Sequence, residues 1–295
     1  MKVQCPAKIN LFLEVTGRRP DGYHRLATIF AKVNLYDVLD LTANSLGKFI
    51  LEVESDGVGP LSNGPENLVH RAAEAFYKEF RIGQGVDIRL TKRVPMGAGL
   101  GGGSSDAAGT LMGLAKFFEM PIKGAVRKKL IKIGLALGAD VPFFLHPANF
   151  CLGTGIGERL KAISVPKSLP YMVLIYPGFG VATAAAFKAL PKPSRPDVLT
   201  RLSHLDKLIE SLGKGKPISQ WEACLFNRLE EAALPVLSQV EQVRRVLTQL
   251  GARGVRMTGS GSSVFGFVGS HVEGEKVIGR LKAYPWTVSL TSCLG

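Results

Sequence analysis

Pro95-Met96-Gly97-Ala98-Gly99-Leu100-Gly101-Gly102-Gly103-Ser104-Ser105-Asp106 is the stretch from which the rest of the chain is best read. Five glycines fall within seven residues, two hydroxyls follow, and a run of helical character, residues 107–118, begins at once. Glycine carries no Cβ, so its backbone turns through positive φ and lets a ligand come close. N–H groups gathered in such a turn, opening onto a helix N-terminus, aim several donors and the positive end of the helix dipole at one place. The competing reading is a flexible linker. Linkers are rich in Gly and Ser but rarely lead straight into a good helix former, so the stretch reads as a phosphate-binding loop.

The bulk properties are compatible with that reading. The 295 residues suit one large domain or two lobes sharing a cleft, and a hydrophobic fraction of 46% supplies a full core. The net charge of +13 admits nucleic acid, an anionic membrane or small polyanions as partners. Lys and Arg are spread along the whole chain, and the densest cluster, Arg127-Lys128-Lys129, lies in an amphipathic helical run. There is no basic tail and no aromatic-rich basic ribbon. Small polyanions therefore lead, with no nucleic-acid and no membrane partner expected. Cys5, Cys151, Cys224 and Cys293 are far apart and form no zinc spacing, which suggests free thiols in a reducing cytoplasm. The first six residues lack the apolar run of a signal peptide. The uncharged span 168–187 is interrupted by Pro170, Pro177, Gly178 and Gly180, so it reads as strand, turn and helix rather than as a membrane segment.

Periodicity predicts strands over residues 9–15, 26–41, 85–92, 149–152, 171–176, 255–257, 264–267 and 287–290. It predicts helices over 67–80, 107–118, 125–137, 197–212, 236–250 and 272–283. Residues 17–22 have turn chemistry, and 191–196 is the most linker-like stretch. Strands and helices mix without a regular βαβ rhythm, which favours α+β. The expected layout is two-lobed, with an N-terminal half over 1–155 and a C-terminal half over 156–295.

The loop contains a literal GxGxxG, Gly97 to Gly102. A dinucleotide fingerprint needs those glycines directly after a buried strand, whereas Lys92-Arg93-Val94-Pro95 intervenes here. No Walker A sequence and no GxSxG elbow occurs. A second glycine-hydroxyl segment, Thr258-Gly259-Ser260-Gly261-Ser262-Ser263, lies between predicted strands. It reads either as a tight hairpin turn or as a loop that approaches a phosphate or supports the first loop. Lys8, in Cys5-Pro6-Ala7-Lys8-Ile9-Asn10, reads either as a surface lysine at a strand start or as a functional cation. Asp140, alone among apolar residues in Gly138-Ala139-Asp140-Val141-Pro142-Phe143-Phe144, is either a helix N-cap worth ~1 kcal/mol or a carboxylate held in a cleft. Composition does not separate these alternatives.

Taken together, the pieces resemble the galactokinase–homoserine kinase–mevalonate kinase–phosphomevalonate kinase (GHMP) superfamily. Residues 95–106 resemble its central phosphate loop, 258–263 its third motif, and Ala7-Lys8-Ile9-Asn10 its first. Gly17-Arg18-Arg19-Pro20-Asp21-Gly22-Tyr23-His24 and the Gly138-to-Phe143 segment narrow the resemblance to the branch acting on 4-diphosphocytidyl-2-C-methyl-D-erythritol. They argue against the mevalonate and homoserine branches. The similarity runs in order along nearly the whole chain, although 191–220 carries no usable motif.

The resemblance implies an α+β, two-lobed GHMP kinase fold with a deep cleft between an N-terminal ATP-binding lobe and a C-terminal substrate lobe. It implies phosphorylation of the acceptor's 2-hydroxyl with ATP and Mg2+. The loop from Pro95 and Met96 through Gly97, Ala98, Gly99, Leu100, Gly101, Gly102 and Gly103 to Ser104 and Ser105 would wrap the phosphates. Asn67 and Lys92 would lie near adenine. Asp140 would take the proton of the attacking hydroxyl, and Lys8 would hold Asp140 ionised and steady the developing charge. Asn10 would contact the acceptor. Tyr23, His24 and, on the opposite face, Phe187 would form the cytosine pocket. The resemblance assigns no role to Asp106 and no protein ligand to magnesium.

Overall fold

The computed structural model describes residues 1–55, 61–191, 194–232 and 236–295. The elements in chain order are β1 (Lys2–Arg18), β2 (His24–Asn44), β3 (Phe49–Ser55), α1 (Leu68–Phe80), β4 (Gly85–Lys92), α2 (Gly102–Phe117), α3 (Gly124–Leu137) and α4 (Val141–Leu145). There follow β5 (Phe150–Gly155), β6 (Arg159–Ala162), β7 (Tyr171–Tyr176), α5 (Thr183–Lys188), α6 (Arg195–Gly213) and β8 (Phe226–Asn227). The last are α7 (Leu237–Gln249), β9 (Arg253–Met257), β10 (Val264–Val268), α8 (His271–Leu281) and β11 (Thr287–Thr291). The mixture is α+β, as expected. The linker-like stretch 191–196 lies partly outside the described residues. Among the described residues no helix is long and apolar enough to cross a membrane.

Two compact units make up the chain, each drawn from several segments. The first comprises Met1–Ala7, Leu35–Met96 and Gly101–Pro147; the second comprises Lys8–Asn34, Gly97–Leu100 and Ala148–Gly295. Because β1 and β2 contribute to both, no single chain position divides them.

In the first unit β4 pairs antiparallel with β2, from Val38↔Thr91 to Asn44↔Gly85, and parallel with β3, from Phe49↔Val86 to Ser55↔Lys92. Strand β4 alternates as its sequence predicts. Val86, Ile88 and Leu90 are buried, while Asp87 and Arg89 are exposed. The buried face meets Val69, Ala72 and Phe76 of α1 and Leu111 and Leu114 of α2 in one core cluster. Burying each large apolar side chain contributes roughly 1.5–3 kcal/mol. Helix α2 approaches β1 so closely that a Cβ added at Gly109 would sit 2.3 Å from the Cys5 sulfur. Helix α1 begins at Asn67, whose side chain accepts the Val69 N–H at 2.9 Å, and ends at Arg81 in the left-handed region.

In the second unit β11, β7, β10 and β9 form an antiparallel sheet in that order. Val173, Ile175, Val264, Val243 and Leu247 of α7, and Val277 and Leu281 of α8, share its core. The same unit holds a parallel pair of β1 and β8 at Phe12↔Phe226, and antiparallel pairs β2–β5 and β5–β6. Residues 7–15 of β1 are all buried, so this strand is an uninterrupted run rather than an alternating one.

Helix α2 starts at Gly102, five residues before the predicted start at 107. Glycines have low helix propensity, but Gly101 adopts φ 68° as the residue before the helix, and its carbonyl accepts the Ser105 N–H at 2.9 Å. Gly102, Gly103 and both serines therefore form the first turn of the helix rather than a loop ahead of it.

Candidate active site

Gly97, Gly99 and Gly101 all take positive φ, at 62°, 76° and 68°. They alternate with Ala98 and Leu100, whose side chains are buried and anchor the loop. Pro95 and Met96 lead into it, and the Met96 side chain is exposed.

In the second unit the 97–100 segment is clamped from two sides. The Gly97 carbonyl accepts the Val181 N–H at 3.1 Å, the Ala98 carbonyl the Ser263 N–H at 3.1 Å, and the Leu100 carbonyl the Lys8 N–H at 2.9 Å. A Cβ added at Gly99 would lie 2.1 Å from the Thr258 carbonyl, and one at Gly259 would lie 2.8 Å from the Gly99 carbonyl. The second glycine loop, joining β9 to β10, is thus a hairpin connection that also buttresses the first loop backbone to backbone. Both readings of the sequence hold at once. Thr183 of α5 and Ser260 add a hydroxyl contact at 3.0 Å.

Lys8 is not a surface lysine. It is 4% exposed, and its Nζ donates to Asn10 Oδ1 at 2.7 Å and to the Gly99 carbonyl at 2.8 Å. An ammonium buried this deeply demands partners, and the two oxygens aim it at the glycine loop. Asn10, itself buried, donates through Nδ2 to Thr28 Oγ1 at 2.8 Å, and its N–H meets Thr258 Oγ1 at 3.0 Å. Thr28 in turn donates to the Phe12 carbonyl at 2.7 Å. The carboxamide of Asn10 therefore orients Lys8.

In the first unit, helix geometry leaves the N–H groups of Gly102, Gly103 and Ser104 without an intrahelical acceptor. Gly103 is exposed and Ser104 half-buried, whereas Ser105 is buried and its hydroxyl has no hydrogen-bond partner. Beneath this turn lies a buried ionic cluster. Lys92 Nζ pairs with Asp37 and, at 2.7 Å, with Asp106. Asp37 also accepts the N–H groups of Arg93 and Val94, at 2.6 and 2.9 Å. Burial, reinforced by the nearby Asp37 charge and opposed by Lys92, pushes the Asp106 carboxyl up to about 8. Burial works against the Lys92 ammonium, but the two carboxylates outweigh it and hold its pKa above the ordinary lysine value. Lys92 thus fastens β4 to the start of α2, and a Cβ added at Gly102 would stand 3.1 Å from its Nζ.

Asp140 occupies the position before α4 but makes no side-chain capping bond, so the simple N-cap reading does not describe it. It is half-buried. Asn67 is occupied as the cap of α1, and its Nδ2 donates to the Ser62 carbonyl at 2.9 Å.

The second unit also carries the aromatic residues. The His24 and Phe187 rings stack at 5.1 Å between centroids and 19° between planes. Tyr23, which precedes His24 in the chain, is 61% exposed. Burial, aided by the Arg18 charge, lowers the His24 pKa and favours neutral imidazole.

Sequence reading missed Asp37 and Asn227. The first was legible: in 35–41, Asp37 shares a period-two face with Leu39 and Leu41, as Lys92 does with Val86, Ile88 and Leu90. Two opposite charges on buried faces of neighbouring strands are a pairing signal. Asn227 carries no such signal. It is buried in β8 and reaches the carbonyls of Met257 and Gly259.

This geometry has counterparts among known proteins. The family described as GHMP kinases N terminal domain matches residues 67–147, and that described as GHMP kinases C terminal matches residues 204–285. A 4-diphosphocytidyl-2-C-methyl-D-erythritol kinase of Exiguobacterium sibiricum is 35% identical over 295 residues, covering 99% of this chain and 98% of its own. The kinase of the same name from Pelobacter propionicus is 36% identical over 266 residues, covering 90% and 89%. The crystal structure of a 4-(cytidine 5'-diphospho)-2C-methyl-D-erythritol kinase superposes with a TM-score of 0.79 at 34% identity, over 100% of both chains. A homoserine kinase from Cytophaga hutchinsonii, at 19% identity and a TM-score of 0.75, shares the fold. With relatives this similar along nearly its whole length, the chain belongs to the 4-diphosphocytidyl-2-C-methyl-D-erythritol kinase family of the GHMP kinases.

Proposed function

We propose that the chain transfers the γ-phosphoryl group of ATP to the 2-hydroxyl of 4-diphosphocytidyl-2-C-methyl-D-erythritol, yielding the 2-phosphate and ADP in the non-mevalonate route to isoprenoid precursors. The observation that carries this reading is the glycine turn itself. Three positive-φ glycines run into the N-terminus of a 16-residue helix, with a buried lysine bonded to the turn. Phosphoryl transfer asks a protein mainly for placement and for stabilisation of charge, and this arrangement supplies both.

In the proposed mechanism, the backbone from Pro95 to Gly103, with the Ser104 and Ser105 hydroxyls, cradles the phosphates. Asn67, at the head of α1, and Lys92, which also anchors the start of α2, lie near adenine in this reading. Asp140 accepts the proton of the attacking hydroxyl. A free aspartate is a weak base, so its contribution is position rather than basicity. Lys8 stabilises negative charge that develops during transfer. Asn10 orients Lys8 beside the acceptor, and Tyr23, His24 and Phe187 hold cytosine.

ATP enters with Mg2+ as part of the donor substrate. Among the described residues no group of three or more His, Cys, Asp or Glu side chains could hold a metal, and no step here is routed through a protein-held ion. By chain order, residues 1–155 are assigned to ATP binding and 156–295 to the C-terminal domain, with the enzyme acting in the cytoplasm.

Coupled ADP release with the cytidyl diphosphate acceptor, mevalonate and homoserine in parallel tests the assignment. Turnover with the cytidyl acceptor alone is expected, and turnover with either of the others instead would overturn it.

A further inference from the structure

We propose that Asn227 is a positioning residue for phosphoryl transfer, holding the Gly259 carbonyl and with it the 258–263 loop where that loop fixes the Lys8 ammonium against Gly99. The inference rests on the role given to Lys8 above.

Asn227 is the second residue of the short strand β8, paired with Leu13 of β1, and is 1% exposed. Its carboxamide is used at both ends. Oδ1 accepts the Leu229 N–H at 3.0 Å. Nδ2 donates one hydrogen to the Met257 carbonyl at 2.9 Å and the other to the Gly259 carbonyl at 2.8 Å. The two carbonyls flank Thr258. One closes β9, and the other belongs to a residue held at φ 56°. A side-chain amide that supplies both its hydrogens to two buried carbonyls two residues apart fixes the local path of the backbone.

That path matters because the loop has no slack where it meets the site. The space at Gly259 is so tight that an added Cβ would stand 3.0 Å from Lys8 Nζ and 2.8 Å from the Gly99 carbonyl. Lys8 Nζ donates to that same Gly99 carbonyl at 2.8 Å. Thr258 Oγ1 accepts the Asn10 N–H, and Asn10 Oδ1 also accepts from the ammonium. Every partner of Lys8 named here therefore touches the loop that Asn227 braces. Asparagine suits the post in a way that its isosteres do not. Aspartate would present an oxygen to two carbonyl oxygens, and alanine would leave both carbonyls buried without a donor. Asn227 itself is not assigned any contact with a substrate.

The test is a double-variant cycle on the full chain with Asn227→Ala, Lys8→Ala and the pair, read as kcat and as KM for ATP and for the cytidyl acceptor. Misplacement of a reacting group by about 1 Å costs on the order of 100-fold in rate. Asn227→Ala is thus expected to lower kcat about 100-fold, with acceptor KM within about threefold. The loss should disappear in the Lys8→Ala background, because one charge cannot be misplaced after it is removed. Asn227→Ser, which keeps one donor, should recover part of the rate, and it replaces the alanine variant in the cycle should that variant fail to fold. Val243→Ala in the α7 core serves as a control for lost stability alone and should leave kcat near the wild-type value. Full kcat in a folded Asn227 variant, or losses that simply multiply in the double variant, would overturn the proposal. Full activity of Lys8→Ala on its own would instead overturn the role of Lys8. A slow Asn227→Ala beside it would then show that Asn227 acts by some route other than the ammonium.

Discussion

Replacing Asp106 with Asn should remove a pH dependence of stability that the wild-type chain carries between about pH 4 and pH 8. One ammonium, Lys92, stands between two buried carboxyls, Asp37 and Asp106. A single positive charge neutralises one of them. Asp37 already receives two backbone N–H groups, whereas Asp106 Oδ1 has no hydrogen-bond partner. The extra proton therefore belongs on Asp106, and burial pushes that carboxyl from 3.8 up to about 8. The groups facing it are Lys92 of β4, Asp37 of β2 and Cys5 of β1. Burial, with help from both carboxylates, raises the Cys5 thiol well above its ordinary value, and the ammonium of Lys92 is held on. Neither changes charge in the window.

The sign follows from proton counting. Where the folded chain binds a proton that the unfolded chain has lost, stability falls as pH rises, by about 1.4 kcal/mol per pH unit for one proton. The contribution is full below the unfolded value near 3.8 and is lost as pH rises through about 8. Integrated from pH 6 to pH 8, the loss is about 2 kcal/mol, a few degrees in melting temperature for a chain of this size. Asparagine is neutral throughout and can still accept from Lys92, so the variant should lose this slope. The assay is thermal unfolding of the ligand-free wild type and Asp106→Asn at half-unit pH steps. Equal drops in melting temperature for both proteins between pH 6 and pH 8 would refute a proton resident on Asp106.

Asp140→Asn should lower kcat by about 100- to 10,000-fold, the range for loss of a positioned base, while ATP binding measured by calorimetry stays near wild type. Unchanged turnover would make Asp140 a structural residue. Gly99→Ala combines a positive φ with a Cβ placed 2.1 Å from the Thr258 carbonyl, so the two loops must separate. ATP affinity should fall at least tenfold in a titration, and an unaltered dissociation constant would show that the cradle tolerates the separation. Tyr23→Ala removes an exposed ring that precedes His24 in the chain and should raise KM for the cytidyl acceptor far more than KM for ATP. Parallel increases in both constants would remove the base-stacking role.

Much of the site was legible because its chemistry is local. A glycine every second residue, followed by serines and a helix, is a local pattern that reads as a turn opening onto a helix N-terminus. Period-two alternation likewise located β4, and it carried the unread signal that Lys92 and Asp37 face inward. What escaped was decided by tertiary contacts. Helix α2 extends back through Gly102 and Gly103 because the Gly101 carbonyl and the Lys92 cluster secure its first turn against poor intrinsic propensity. Helix α4, β6 and β8 are too short for any periodic signal. Lys8 sits among apolar neighbours in β1, where a lysine reads as a solvated strand start, and the contacts that make its burial tolerable include one to Gly99, 91 positions away.

The same distinction explains why the second glycine loop resisted a single reading. Its composition is that of any tight hairpin, and it is one. Its further service comes from what its backbone touches: Gly99 from one side and the Asn227 carboxamide from the other. Glycine at 259 admits the approach, while asparagine at 227 fixes its distance, from β8, a two-residue strand with no pattern of its own. A local sequence can thus encode a glycine turn, yet leave unstated the bracing that holds a lysine steady beside it. For this chain the bracing is where a substitution remote from the motifs should cost the most rate for the least change in substrate affinity.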